Sequence, residues 1–238
     1  MDVPPPIHCR LPAYRLFAAQ LPRLQTVDGL LGAAVAISMH ELDGVDPRHS
    51  VQRVDALARR VRNRVRSASE TALVAHLHEV LFDEEGFAGN TDDYHNSHNS
   101  YVPWVLDTKL GIPISLALVY KTVAARAGLI AHGINAPGHF LARVKMDRAW
   151  TLVDVFAGGR IISRSEAIGQ IERMLGRTLP ADEQRARADT DELSRDPLFQ
   201  AASHRDWIAR MLRNLREIFD QAGRQGDVAA VQELFHLL

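Results

Sequence analysis

"TKLGIPISLALVYKTVAARAGL", residues 108–129, decides the fold. Pro113 suits a first helical position, because the N–H it lacks is not needed there. Ile114, Leu118, Val119, Val123 and Ala124 recur at helical spacing and face a core, and Gly128 is a good stop just past the end. Three short strand candidates follow: "LIAHGIN" (129–135), "HFLARVKM" (139–146) and "WTLVDVF" (150–156). Pro137-Gly138 and Gly158-Gly159 punctuate them as turns.

Upstream, the sequence predicts irregular chain and then helices. In "VDGLLGAAVAISMHEL" (27–42), Leu30, Leu31, Ala34, Val35 and Leu42 share a face, with Asp28 as a cap. In "SVQRVDALARRVRNRVR" (50–66), Val51, Val54, Leu57, Ala58, Val61 and Val65 form one stripe. Its arginines, Arg59, Arg60, Arg62, Arg64 and Arg66, read as a solvated face and not a nucleic-acid patch. Ser67 to Glu70 is a capping-box pattern that introduces "TALVAHLHEVLF" (71–82). Residues 83–100, rich in Gly, Asn, Asp and Ser, are a loop of functional length. Downstream, "RSEAIGQIERML" (164–175) returns to helix, residues 179–197 read as a charged linker, and 198–238 as a helical hairpin about one tetratricopeptide-like repeat long. One such repeat cannot bury its own face, so it must pack on the main domain or on another chain. The expected layout is an N-terminal arm (1–25), a main domain (26–178), the linker and the tail.

Composition excludes some classes. Among 238 residues, 46% are hydrophobic and 24% charged, with a formal net charge of -1. These are values of a globular domain, with no drive toward nucleic acid or an anionic membrane surface. The most apolar window, "GLLGAAVAISM", is too short to span a bilayer. A lone cysteine, Cys9, fits a reducing compartment, and no secretory signal opens the chain, so the expected location is the cytoplasm.

A candidate site comes from two strands. His139 opens one and Asp154 ends the next, so antiparallel pairing can bring them within hydrogen-bond reach, with the Asp fixing the imidazole tautomer. A nucleophile at the start of a packed helix would complete an acyl-transfer site. His95 and His98, with Asp92 and Asp93, sit in a loop and read as surface groups, so no metal and no cofactor are expected.

The run from Gly86 to Gly159 resembles the bacterial SirB-type branch of the transglutaminase-like superfamily. The resemblance rests on Gly86-Phe87 with Gly89-Asn90, Asn99-Ser100-Tyr101, Gly111-Ile112-Pro113-Ile114-Ser115-Leu116, Pro137-Gly138-His139-Phe140-Leu141, and Asp154 with Gly158-Gly159. It implies an α+β, transglutaminase-like (papain-like) fold: a central helix packed on a small antiparallel sheet, a helical N-terminal region and a helical-hairpin tail. The superfamily's His and Asp carry over onto His139 and Asp154. Its Cys begins the helix about four turns before the closing Gly; counted back from Gly128, that position is Pro113, which has no nucleophile. Ser115 is the alternative nucleophile, and Cys9 would have to fold back to reach His139. Where the family reads Asp-Pro-Phe, this chain reads Asp154-Val155-Phe156.

The expectation is therefore a regulatory or protein-binding module with a vestigial site around His139 and Asp154, in which Asn99, Tyr101 and Phe140 contribute to binding a protein or peptide partner. The enzyme alternative is a hydrolase or acyl transferase using Ser115, His139 and Asp154.

Overall fold

The computed structural model describes residues 5–65, 69–179, 193 and 196–238. Ser67, Arg66 and nearly all of the charged linker lie outside the described residues. Helix α1 (Leu11–Gln20) stands where irregular chain is expected, inside the N-terminal arm. Helix α2 (Val27–Ser38) is capped by the Thr26 side chain, which accepts from the Gly29 N–H; Asp28 lies in the first turn instead. Helix α2 is apolar all round and correspondingly buried.

Helix α3 (Pro47–Arg64) buries Val54, Leu57, Ala58 and Val61, while Val51 stays exposed. Its arginines are used internally: Arg60 pairs with Glu84 and Glu85, and Arg64 with Glu79 and Glu84. Those acids lie in or next to the wider turn (Glu79–Glu84) that extends α4 (Glu70–His78), whose cap is Ser69. A short helix, α5 (Val102–Thr108), follows the polar loop.

The central helix is α6 (Pro113–Ala127), with Pro113 first and Gly128 in the left-handed region at φ 97°. A four-stranded antiparallel sheet covers it: β3 (Ala131–Ile134), β4 (Leu141–Met146), β5 (Ala149–Asp154) and β6 (Arg160–Ile162), in that order. Two-residue strands β1 (Ala88–Gly89) and β2 (Leu110–Gly111) pair in parallel beside the start of α6. The sheet's faces alternate as the period of two requires. Ala142, Val144 and Val153 join the helical core around α6, while Leu141, Leu152 and Ile162 pack on α7 (Arg164–Leu175). The fold is thus α+β, with a helix layer on each side of the sheet.

The tail is α8 (His204–Gln221) and α9 (Gln225–Leu237). It docks on the body of its own chain. Trp207, Ile208, Met211, Leu212, Leu215 and Phe219 are fully buried along one face of α8. The Trp207 indole N–H donates to the Ile114 carbonyl at 3.2 Å. Polar ties repeat the connection: Arg224 to Glu41 at 2.7 Å, and His40 to Asp227 at 2.9 Å.

Candidate functional site

The first turn of α6 has two sides with different chemistry. On one side, Ser115 is fully buried and its hydroxyl donates to the Asn99 carbonyl (2.5 Å) or the Ile112 carbonyl (3.0 Å) while accepting from the Ile112 N–H (3.2 Å). A Cβ on Gly111 would come within 2.9 Å of this hydroxyl, so glycine lets the chain pass close to it. Asn99 holds the polar loop in turn, donating to the Asp93 and Tyr94 carbonyls and accepting from the Asn90 amide. Ser115 therefore staples the loop to the helix. Among the described residues no hydrogen bond joins it to His139.

On the other side, Pro113 and Ile114 line a cavity of about 20 Å³ with His139, Phe140 and Arg210. That volume is on the order of one water molecule. It adjoins a cleft of about 190 Å³ whose walls include Tyr94, Gly138, Arg210, Asn214 and Glu217. Pro113, where the resemblance expects a nucleophile, thus lines one cavity with His139.

His139 is 5% exposed. Its Nδ1 is buried with no hydrogen-bond partner. Burial pushes the imidazole pKa down, Arg210 adds to that, and the Asp154 charge opposes it. The ring is held from its backbone. Gly138, at φ 69°, makes the turn, and the His139 N–H donates to the Ala136 carbonyl at 3.2 Å. Arg210, on α8, donates through one Nη to the Ala136 carbonyl (2.8 Å), the His139 carbonyl (3.1 Å) and the Asn135 side chain.

Asp154 is near His139 but committed elsewhere. The pairing of β4 with β5 sets the end of one beside the start of the other, close enough for the Asp154 charge to act on His139. One Asp154 oxygen accepts from the Phe156 and Ala157 N–H groups, both at 3.1 Å, and the other from the Gln170 amide at 2.8 Å. The carboxylate organises the turn after β5 and leaves the His139 tautomer unfixed by any hydrogen bond. That turn stays tight without the family's proline: the Gly159 N–H reaches the Asp154 carbonyl at 3.0 Å, and Val155 is buried in the core.

Of the expected binding residues, Phe140 lines the cavity, packed on Trp207 at 4.7 Å between ring centroids. Asn99 does not reach it. Tyr101 does not either: it is buried, and its hydroxyl donates to Glu41 at 2.8 Å. Cys9 is also remote, buried under the N-terminal segment with its thiol pKa pushed up to about 12 by burial and Glu233. The sequence offered no pointer to Arg210, an arginine on an amphipathic helix and 71 positions beyond His139.

A family model described as the transglutaminase-like superfamily matches residues 48–213, spanning α6, the sheet and much of α8. The chain belongs to the transglutaminase-like superfamily. Within it, the chain is 32% identical to a UPF0162 protein of Xylella fastidiosa over 84% of this chain and 70% of that one. It is 29% identical to a UPF0162 protein of Pseudomonas aeruginosa over 84% of this chain and 68% of the other. A shorter match, 42% identical, relates 32% of the chain to 12% of F-box only protein 21 of Mus musculus. No solved structure matches. Among the described residues no group of three or more His, Cys, Asp or Glu converges as metal ligands, and no helix is long and apolar enough to cross a membrane.

Proposed function

We propose that this transglutaminase-like chain is a binding module in which the catalytic helix start has lost its nucleophile. In this reading it recognises a protein or peptide partner in the cleft over His139 and acts as a regulatory component in the cytoplasm. The observation that carries the reading is the pairing of Pro113 with His139 across one small cavity. A proline ring has no proton to give up and no lone pair to attack with, so the acyl-transfer step has no starting atom there.

The hydrolase alternative, through Ser115, His139 and Asp154, has less support. The Ser115 hydroxyl is spent on Asn99 and Ile112, and the Asp154 carboxylate on backbone N–H groups and Gln170. The SirB-type assignment and the tetratricopeptide-like character of residues 198–238 fit the binding reading. However, the apolar face of α8 is used within the chain, which leaves the seam between tail and body as the recognition site. The match to a small part of F-box only protein 21 is consistent with a unit that is reused inside longer chains.

The test combines a probe and a capture. A fluorophosphonate probe is expected to leave the protein unlabelled. Affinity capture from the native host is expected to retain a partner that is lost when Asn214→Trp fills the cleft. Labelling abolished by Ser115→Ala would establish the enzyme instead. In the same experiment Pro113→Cys is expected to gain iodoacetamide labelling at position 113, while native Cys9 resists it.

A further inference from the structure

The cavity beside Pro113 holds three unfilled hydrogen-bonding opportunities. The Ile114 N–H group, at the cavity wall, belongs to the first turn of a fifteen-residue helix and has no hydrogen-bond acceptor among the described residues. Helix starts concentrate partial positive charge on such N–H groups. Independently, the buried Nδ1 of His139 has no hydrogen-bond partner among the described residues, and the residue is 5% exposed and lines this cavity. Such orphaned polar groups are rare in native interiors and call for an explanation. Arg210 spends one Nη on three acceptors, which leaves the rest of its guanidinium uncommitted at the junction of cavity and cleft.

The helix start and the Arg210 guanidinium are positive, while His139, whose pKa burial lowers, contributes a neutral ring. The cavity walls carry the helix start, His139 and Arg210, and no carboxylate. The nearby Asp154 carboxylate is saturated with three hydrogen bonds. Glu217 stands in the outer cleft. The inner end is small: about 20 Å³, opening to about 190 Å³. A planar group with two oxygens is matched to it better than a tetrahedral one.

We propose that the inner end of the cleft binds a carboxylate, with one oxygen at the α6 start and His139 and the other toward Arg210. The carboxylate comes either from the free C-terminus of a peptide or from a small organic acid. This rests on the binding reading above and narrows it to the group recognised.

The test uses the full chain labelled with ¹⁵N. Four probes are added separately: a mixture of acetylated random tetrapeptides with free C-termini, the same mixture amidated, sodium acetate, and inorganic phosphate. The readouts are the Ile114 and Ser115 amide signals and the His139 ring nitrogens. The free-acid peptides are expected to shift all of these, with at least ten-fold weaker binding after amidation. His139→Gln tests the imidazole, and Asn214→Trp, at a residue that lines both cleft and cavity, blocks entry. Saturation by acetate as tight as by the peptides assigns the small-acid source. Equal binding of amidated and free peptides overturns carboxylate recognition but leaves the binding reading intact. Phosphate binding as tight as acetate overturns it as well, because the site would then read charge alone. No shift with any probe overturns it, and capture with the Asn214→Trp control then decides separately whether the cleft has a partner at all.

Discussion

Two sides of one helical turn behave in opposite ways. Around Ser115, the hydroxyl, the Ile112 N–H, the Asn99 carbonyl and the Asn99 amide form a closed set. Around Pro113, the Nδ1 of His139 and the Ile114 N–H of α6 are left open, although the site is nearly as dry. Buried polar groups that serve the fold are satisfied by the fold. Those left unsatisfied lower stability and persist where something else uses them. The comparison locates the candidate site without appeal to which residue types are present.

The contrast can be broken most severely from the tail. Trp207 is fully buried and bonds the Ile114 carbonyl, so it closes the floor beneath both sides. Trp207→Ala is expected to destabilise the protein by about 3–5 kcal/mol in urea unfolding. A loss under about 1 kcal/mol would mean that the tail is not docked as described.

Acid tests the histidines as a pair. His78, bonded to the Tyr120 hydroxyl at 3.0 Å, has its pKa pushed down to about 4, mainly by burial. His139 is lowered too, for the same first reason. Above about pH 6.5 both are neutral whether folded or unfolded, and neither affects stability. As pH falls below that, the unfolded chain takes protons first, so stability drops, and His78's loss levels off near pH 4. For His78 the loss is about 3 kcal/mol at most. Paired carboxylates such as Glu41 and Asp227, whose pKa values are lowered, titrate at more acid pH and are distinguishable. Urea midpoints between pH 7 and 4.5 check this, and a flat profile would refute the burial of these rings.

Ser115→Ala strips the closed side of its central atom. It removes the short hydrogen bond to the Asn99 carbonyl and leaves the Ile112 N–H only its long bond of 3.4 Å to that same carbonyl, and is expected to lose about 1–3 kcal/mol. Ligand-induced shifts in the cleft are expected to persist. His139→Leu is the smallest and has the opposite sign. Replacing an orphaned imidazole by a hydrocarbon is expected to raise stability by up to about 1 kcal/mol while abolishing binding, as thermal melts and titration would show.

The residues that were legible in the sequence act through near neighbours. Pro113 and Gly128 bracket α6 because each suits its position by its own backbone chemistry. The strands around His139 and Asp154 announce themselves by turns and apolar runs. Helix α5 is seven residues long, too short for a periodic signal, and β1 and β2 exist only because they meet. Asn99 and Tyr101 belong to the recognisable motif, yet their partners are backbone carbonyls and Glu41, 60 residues away in sequence. Nothing local separates a structural tyrosine from a binding one. That Pro113 stands where the superfamily carries a nucleophile is implied by the resemblance alone. The Asp154 carboxylate was expected to orient His139, but the N–H groups of the following turn reach it first.

Because Arg210 and Trp207 grip both the His139 loop and the head of α6, the tail works as a clasp over this corner of the molecule. A guest wedged between clasp and body would hold the two together, so occupancy would register along α8 as slowed amide exchange, well away from the atoms it touches. A truncation before residue 204 would then remove a wall and a latch at once, and a shortened chain that binds nothing would say little about the transglutaminase-like core alone.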